Sequence, residues 1–238
     1  LVGVASLMLQ PVPAAVRAQA SMPHEVPELA LRAQSLLGPL GLVTLAAAVG
    51  ATVAHRIGLR SALAGDPGAR PDLRAALVTG AALAVALAGV DAVLDDRLGP
   101  QWHEVAARAA EAPPWPALPI GLLYGGLAEE VVMRWGLMSL VAWGLTRAIH
   151  HRAPGTSPLP NGVAWTAVVV CAFAFAAGHL PALAEQVEPT APIVARTLAL
   201  NLLAGIAYGW LFWRRGLETA MLAHASTHVG LALARSLP

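Results

Sequence analysis

The sequence predicts an all-α fold: a polytopic transmembrane helical bundle of about six spans. Three observations carry this. Residues of the AVILMFWYC set make 57% of the 238, and the 22 glycines bring the apolar share to roughly two thirds, against about 45–50% in a soluble domain. Charged residues make only 12%, all 15 basic side chains are arginines, and the net charge is +1. The apolar residues gather into runs of about 20, the length that crosses a hydrocarbon core at about 1.5 Å per helical residue. These numbers exclude a water-soluble globule and a disordered chain, and they leave nucleic-acid binding without an electrostatic footing. One cysteine, Cys171, provides neither an internal disulfide nor a multi-cysteine zinc module.

Residues 1–35 form an N-terminal segment in which Leu1 to Leu9 is apolar and Ala18-Gln19-Ala20 resembles a small-residue cleavage site. A signal peptide and a truncated span both fit it, the missing basic flank weighing against the first. Residues 36–115 contribute two spans, Leu36 to Ala54 and Ala75 to Leu94, joined by the connector Asp66 to Pro71 and followed by a surface helix, Gln101 to Glu111. Residues 116–236 hold the rest: Leu118 to about Ile149, Val163 to Leu183, Ile193 to Trp213, and Leu217 to Ala234, with Ala153 to Asn161 as a connector. The runs are Ala- and Leu-rich without period-2 alternation, so strands are not expected. The stretch from Leu118 is about thirty residues long, which predicts either one tilted helix or a break near Gly136.

Arginines alternate between the loops. Arg56, Arg60, Arg70 and Arg74, then Arg147 and Arg152, then Arg214 and Arg215 mark one side, whereas Asp95, Asp96, Glu104, Glu111, Glu185 and Glu188 mark the other. The positive-inside rule places the arginines in the cytoplasm of a multi-pass protein, expected in a bacterial inner membrane.

Ionisable side chains inside a bilayer are costly, so a set of them marks a functional site. The third span carries Glu129, Glu130 and Arg134 in GGLAEEVVMRW, the fourth His179 in FAFAAGHLP, and the last His224 and His228 in MLAHASTHVG. Glu130 and Arg134 are one turn apart, acid first, the favourable orientation for an ion pair. Glu129 lies about 100° round the helix and is left for another partner. His224 and His228 share a face at the spacing by which two helical histidines reach one metal. Counted from the acidic side at about 1.5 Å per residue, Glu129 lies at roughly 17 Å, His224 at roughly 15 Å, His228 at roughly 9 Å and His179 at roughly 6 Å, so all four can face one cavity. Gly125, Gly126, Gly178 and Gly205 would let the backbones approach.

GGLAEEVVMR, FAAGH and AYGWLFWRRGLETAMLAHASTH, in that order across about Leu118 to Gly230, resemble the motifs of the CPBP intramembrane proteases: E-E-x-x-x-R, F-x-x-x-H, and H-x-x-x followed by Asn, Asp or a similar residue. That family contains CAAX prenyl-protein endopeptidases, bacteriocin-processing enzymes and lysostaphin-resistance-like proteins. The resemblance implies an intramembrane endopeptidase whose substrate is a membrane-associated peptide or protein, including prenylated CAAX tails. Glu129 and His179 would hold and deprotonate the attacking water, Glu130 with Arg134 would be supporting, Phe175 would hold the aromatic position one turn before His179, and His224 and His228 would complete the site. His228 stands where the family commonly has Asn. Two mechanisms fit these residue types: a metal-free glutamate protease, and a zinc protease with some of Glu129, His179, His224 and His228 as ligands.

Other polar residues read more plainly. His150 and His151 beside Arg152 form a solvated basic cluster, and Arg196 and Glu218 near span ends are expected to anchor at the interface. Asp91 is a lesser candidate for the cavity lining. Trp135, Trp143, Trp210 and Trp213 are expected in the interfacial belt or in helix packing, and Cys171 as a packed small residue. A proton-coupled transporter or a non-proteolytic membrane scaffold or immunity protein is the alternative, because Glu, Arg and His also build proton relays. No inverted repeat supports transport.

Overall fold

The computed structural model describes residues 1–19, 26–111, 115, 117–150 and 159–236. Helix accounts for the regular structure throughout, and no strand occurs among the described residues. The principal helices are α1 (Leu37–Val53), α2 (Leu73–Leu94), α3 (Pro100–Glu111), α4 (residues 117–150), α5 (Asn161–Gly178), α6 (Ala191–Arg215) and α7 (Leu217–Ser236). Each expected span coincides with one of these or with a helix and its short extension, and the expected surface helix is α3. Ala20, His151, Arg152 and most of the connector after α4 lie outside the described residues.

Among the described residues, four helical stretches are long and apolar enough to cross a membrane: Glu28–Val53, Leu73–Arg97, Asn161–Ala184 and Ala191–Arg215. The two further stretches predicted as spans, α4 and α7, are helical but carry the intramembrane charges and histidines that lower their hydropathy. α4 is continuous through Gly136, with no break there. Over Gly121–Glu129 and Val131–Met138 it is wound as a π-helix, the wider i→i+5 coil that recurs at functional sites.

The N-terminal residues Val2–Ala5 form a short helix laid on the Gly121–Glu129 stretch, with Gly3 so close to the Leu123 carbonyl that a Cβ would meet it at 2.4 Å. Arg32, on the helix Glu28–Ser35, donates to the carbonyl of Gln10 (2.8 Å) and holds this segment down.

Between apolar helices in lipid there is little hydrophobic gain, so association depends on close packing through small residues and on interhelical polar contacts. α2 lies against α7 and α5 against α6. Where α5 crosses α6, a Cβ on Gly205 would sit 3.0 Å from Ala172 Cα, and where α2 crosses α7, one on Gly80 would sit 2.4 Å from Ser226 Cβ. The interior between these layers is filled by Met138, Val168, Leu211 and Phe212, all fully buried, with Trp135 edge-on to Phe212 at 6.4 Å and Cys171 packed among them. Trp135 therefore serves packing. Trp213 lies edge-on to the exposed Trp165 at 5.8 Å, as interfacial aromatics do.

Candidate functional site

α4 presents its two adjacent carboxylates to different surroundings. Glu130 is fully buried: its Oε2 lies 3.2 Å from Arg134 Nε, and its Oε1 accepts a 2.9 Å hydrogen bond from His224 Nδ1 on α7. Arg134 is equally buried, donates to the Gly205 carbonyl on α6 (3.3 Å), and is flanked by the rings of Phe175 and Tyr208, 4.8 and 5.5 Å from its guanidinium carbon. A pair of ions taken out of water is costly unless its remaining polar atoms are matched. Here a carbonyl, two aromatic faces and an imidazole match part of them, while Arg134 Nη1 and Glu130 Oε2 have no hydrogen-bond partner among the described residues, Oε2 making only the ionic contact to Arg134.

Glu129 instead opens into a cavity of about 1040 Å³, which His179, His224 and His228 also line. Depth counting along the helices therefore brings together the four residues it selects. Glu129 and His179 face the same space without a direct hydrogen bond among the described contacts.

The histidine rings are held by their second nitrogens. His179 Nδ1 is 2.8 Å from the Phe175 carbonyl. A carbonyl only accepts, so Nδ1 carries the proton and Nε2 is left with its lone pair in the neutral ring. The same logic fixes His224, whose Nδ1 proton goes to Glu130. Phe175 lies edge-on to both rings, at 4.7 Å from His179 and 6.0 Å from His224. His228 stacks on His224 at 5.1 Å and lies flat over Gly121 and Gly125, where a Cβ would come within 2.7 Å of its ring atoms. Gly126 instead packs against Ala225, and Gly178 meets nothing within 4 Å, so the expected role of Gly178 in close approach is not realised.

Which of these residues can hold a metal follows from their arrangement. Among the described residues, no three His, Cys, Asp or Glu side chains converge as a metal-holding group. His224 and His228 form a stacked pair, and His224 spends its Nδ1 on Glu130.

Sequence reasoning missed several residues of this site. Tyr208 stacks on the other face of His224 at 4.5 Å, fully buried, with its hydroxyl donating to Thr227 Oγ1 at 2.8 Å. Asn201 lines the cavity. Arg196, expected at the interface, is turned inward: it pairs with Asp91, stacks over Trp102 at 4.1 Å, and lines the cavity together with Asp91. Glu218, also expected at the interface, accepts from Ser61 Oγ (2.6 Å) and the Leu63 amide (3.0 Å) and ties a loop to α7. Local sequence could have flagged Tyr208 as a hydroxyl-bearing ring deep in an apolar run. It gives no sign of the partners of Arg196 and Glu218, which lie 105 and 155 or more residues away.

A family model described as "Type II CAAX prenyl endopeptidase Rce1-like" matches residues 111–230, half of the chain. The matched residues run from the end of α3 to α7 and include every side chain of the buried network. No curated protein and no solved structure matches the chain.

Proposed function

The chain belongs to the type II CAAX prenyl endopeptidase Rce1-like family, and from that membership we propose that it is an intramembrane endopeptidase acting on a membrane-associated peptide or protein. Membership implies a protease. The observation that carries the finer reading is the division of labour between two neighbouring carboxylates: Glu130 is consumed by Arg134 and His224, while Glu129 faces the cavity shared by three imidazoles.

In this reading water sits between Glu129 and His179. Glu129 takes its proton as general base, and the His179 Nε2 lone pair, fixed by the Phe175 carbonyl, orients the other hydrogen. Polar contacts to the developing oxyanion come from the ring nitrogens of His224 and His228. Glu130 anchors His224 through Nδ1, so this ring would donate from Nε2 only when doubly protonated. Glu129, once protonated, returns the proton to the leaving amine. Glu130 and Arg134 act through His224 and are positioning residues, and Tyr208 and Phe175 fix the ring planes.

The cavity's setting among the helices supports a lipid-anchored substrate. A peptide carrying a lipid anchor, of which a prenylated CAAX tail is one kind, is delivered to that depth by its own apolar group. The multi-pass chain would reside in a bacterial inner membrane with its arginine-rich loops cytoplasmic, and residues 116–236 would form the catalytic core.

The test is a comparison of peptide termini across the membrane proteome of cells expressing wild type or Glu129→Gln at matched levels. New termini that vanish in the variant are the expected result, and their sequences name the substrate. Indistinguishable proteomes would sink the reading in favour of proton-coupled transport or a non-proteolytic scaffold.

A further inference from the structure

At the far end of α6 from Arg196, eighteen residues or roughly 27 Å along the helix axis, a second cavity of about 370 Å³ lies between the loop after α1 and the α6–α7 corner. Arg60, Arg70, Arg214 and Arg215 line it, with Asp72 and Trp213. Four guanidinium-bearing residues share one small space on the side of the protein where the arginines are concentrated.

The loop that supplies two of them is fixed from several directions. The Leu217 amide donates to the Arg60 carbonyl (3.0 Å), and the Asp72 amide donates to Thr219 Oγ1 (3.0 Å). Glu218 accepts from Ser61 and Leu63 as described above. The pocket is therefore preorganised, so a ligand would not bear the entropic cost of ordering it.

Its charge is only partly matched. Arg60 is paired with Asp66 (2.9 Å) and Arg215 with Asp72 (3.5 Å). Arg70 and Arg214 have no carboxylate partner among the described residues, and Arg214 rests over the Trp213 ring at 5.2 Å. Trp213 and Trp165 pair edge-on beside it, and tryptophans are enriched at the headgroup level of membrane proteins. Planar guanidinium groups are suited to bidentate contacts with phosphate oxygens, and basic pockets between membrane helices on the cytoplasmic side are the setting in which acidic headgroups are held.

We propose that this arginine pocket is a binding site for a phosphate-bearing anion, occupied by the headgroup of an anionic phospholipid from the surrounding leaflet. It is separate from the candidate catalytic cavity and stands whether or not the chain is a protease. Arg70 and Arg214 supply the free positive charge, Arg60 and Arg215 the flanking donors, and the lipid's acyl chains lie along the apolar surface beside Trp213.

The experiment titrates the delipidated full chain in detergent with phosphatidylglycerol or phosphatidylcholine and counts bound lipid by native mass spectrometry. Wild type should retain one phosphatidylglycerol in preference to phosphatidylcholine. The double variant Arg70→Gln/Arg214→Gln should bind it roughly 25-fold more weakly, taking about fivefold for each lost arginine, while Arg108→Gln on α3 should bind as wild type. The charge-conserving pair Arg70→Lys/Arg214→Lys, which keeps the cations and loses the bidentate fork, should fall between and covers poor folding of the first. Thermal unfolding with inorganic phosphate separates the sources: an arginine-dependent rise with phosphate, without any lipid preference, would keep the anion site and overturn the lipid as its occupant. Equal retention of both lipids and no phosphate effect in wild type and variants would overturn the site itself.

Discussion

The spans before α3 and the long spans after α4 are built from the same Ala, Leu, Val and Gly, yet the fold places them differently. Over an 18-residue apolar stretch of each helix, only 17% is buried within the protein in the two N-terminal spans, against 39% in Asn161–Ala184 and 28% in Ala191–Arg215. On α2, Val78 and Val85 are turned outward to the lipid, whereas on α5 Ala164, Ala167 and Val168 are fully enclosed. The difference lies in what each has to surround. α4, α5, α6 and α7 enclose a buried ion pair with its histidine, and the partners that pair does have beyond α4, the Gly205 carbonyl and His224, come from neighbouring helices. The outer spans enclose little that is polar and can leave most of their surface to lipid. Polar chemistry thus sets the packing, and the apolar content sets only the membrane.

If that contrast is right, the largest loss of stability comes from unmatching the buried pair. Arg134→Met or Glu130→Gln leaves an uncompensated group in the interior and should cost about 3–5 kcal/mol, read as a large fall in the thermal unfolding midpoint in detergent. A next step down is overpacking the α5–α6 crossing: Gly205→Val drives a side chain into Ala172 and should cost about 1–3 kcal/mol by the same assay. Tyr208→Phe removes the hydrogen bond to Thr227 and keeps the ring stacked on His224, so about 1 kcal/mol is expected. Val85→Ala on the lipid face should stay within about 0.5 kcal/mol. A lipid-face substitution as damaging as the buried ones would break the comparison.

The smallest effect is in a loop. The Arg60 guanidinium beside Asp66 and the Gly68 amide hold the Asp66 carboxyl below its ordinary value of 3.8. A lowered folded-state pKa gives stability that is present above the unfolded value and lost as pH falls through the folded one. The difference in melting between wild type and Asp66→Asn should therefore be slight at neutral pH and disappear in acid.

The helices were legible because a run of about 20 apolar residues has few other readings, and the four cavity residues because depth along a helix can be counted. Pairing was less legible. The ion pair of Glu130 with Arg134 follows from one-turn spacing, but the bond from His224 to Glu130 joins residues 94 apart, and nothing local chooses between two adjacent glutamates as its acceptor. The inward turn of Arg196 has the same origin, since Asp91 and Trp102 are brought to it by the fold. The π-helical winding of α4 has no signature in its composition, and it alters which side chains share a face.

Metal dependence divides the two mechanisms. If the imidazoles act without a metal, cleavage should persist after exhaustive chelation, with no stoichiometric zinc by elemental analysis of the purified protein. Loss on chelation and recovery with zinc would assign His224 and His228 to an ion instead.

The proposed division, Glu129 for chemistry and Glu130 for structure, is tested by taking Glu129→Gln and Glu130→Gln side by side and scoring release of new peptide termini and the unfolding midpoint. Glu129→Gln is expected to lose about 10²–10⁴-fold in cleavage, the span of a general base, and to melt as wild type, whereas Glu130→Gln melts markedly lower. A Glu129→Gln protein that still cleaves, or one as unstable as Glu130→Gln, would contradict it.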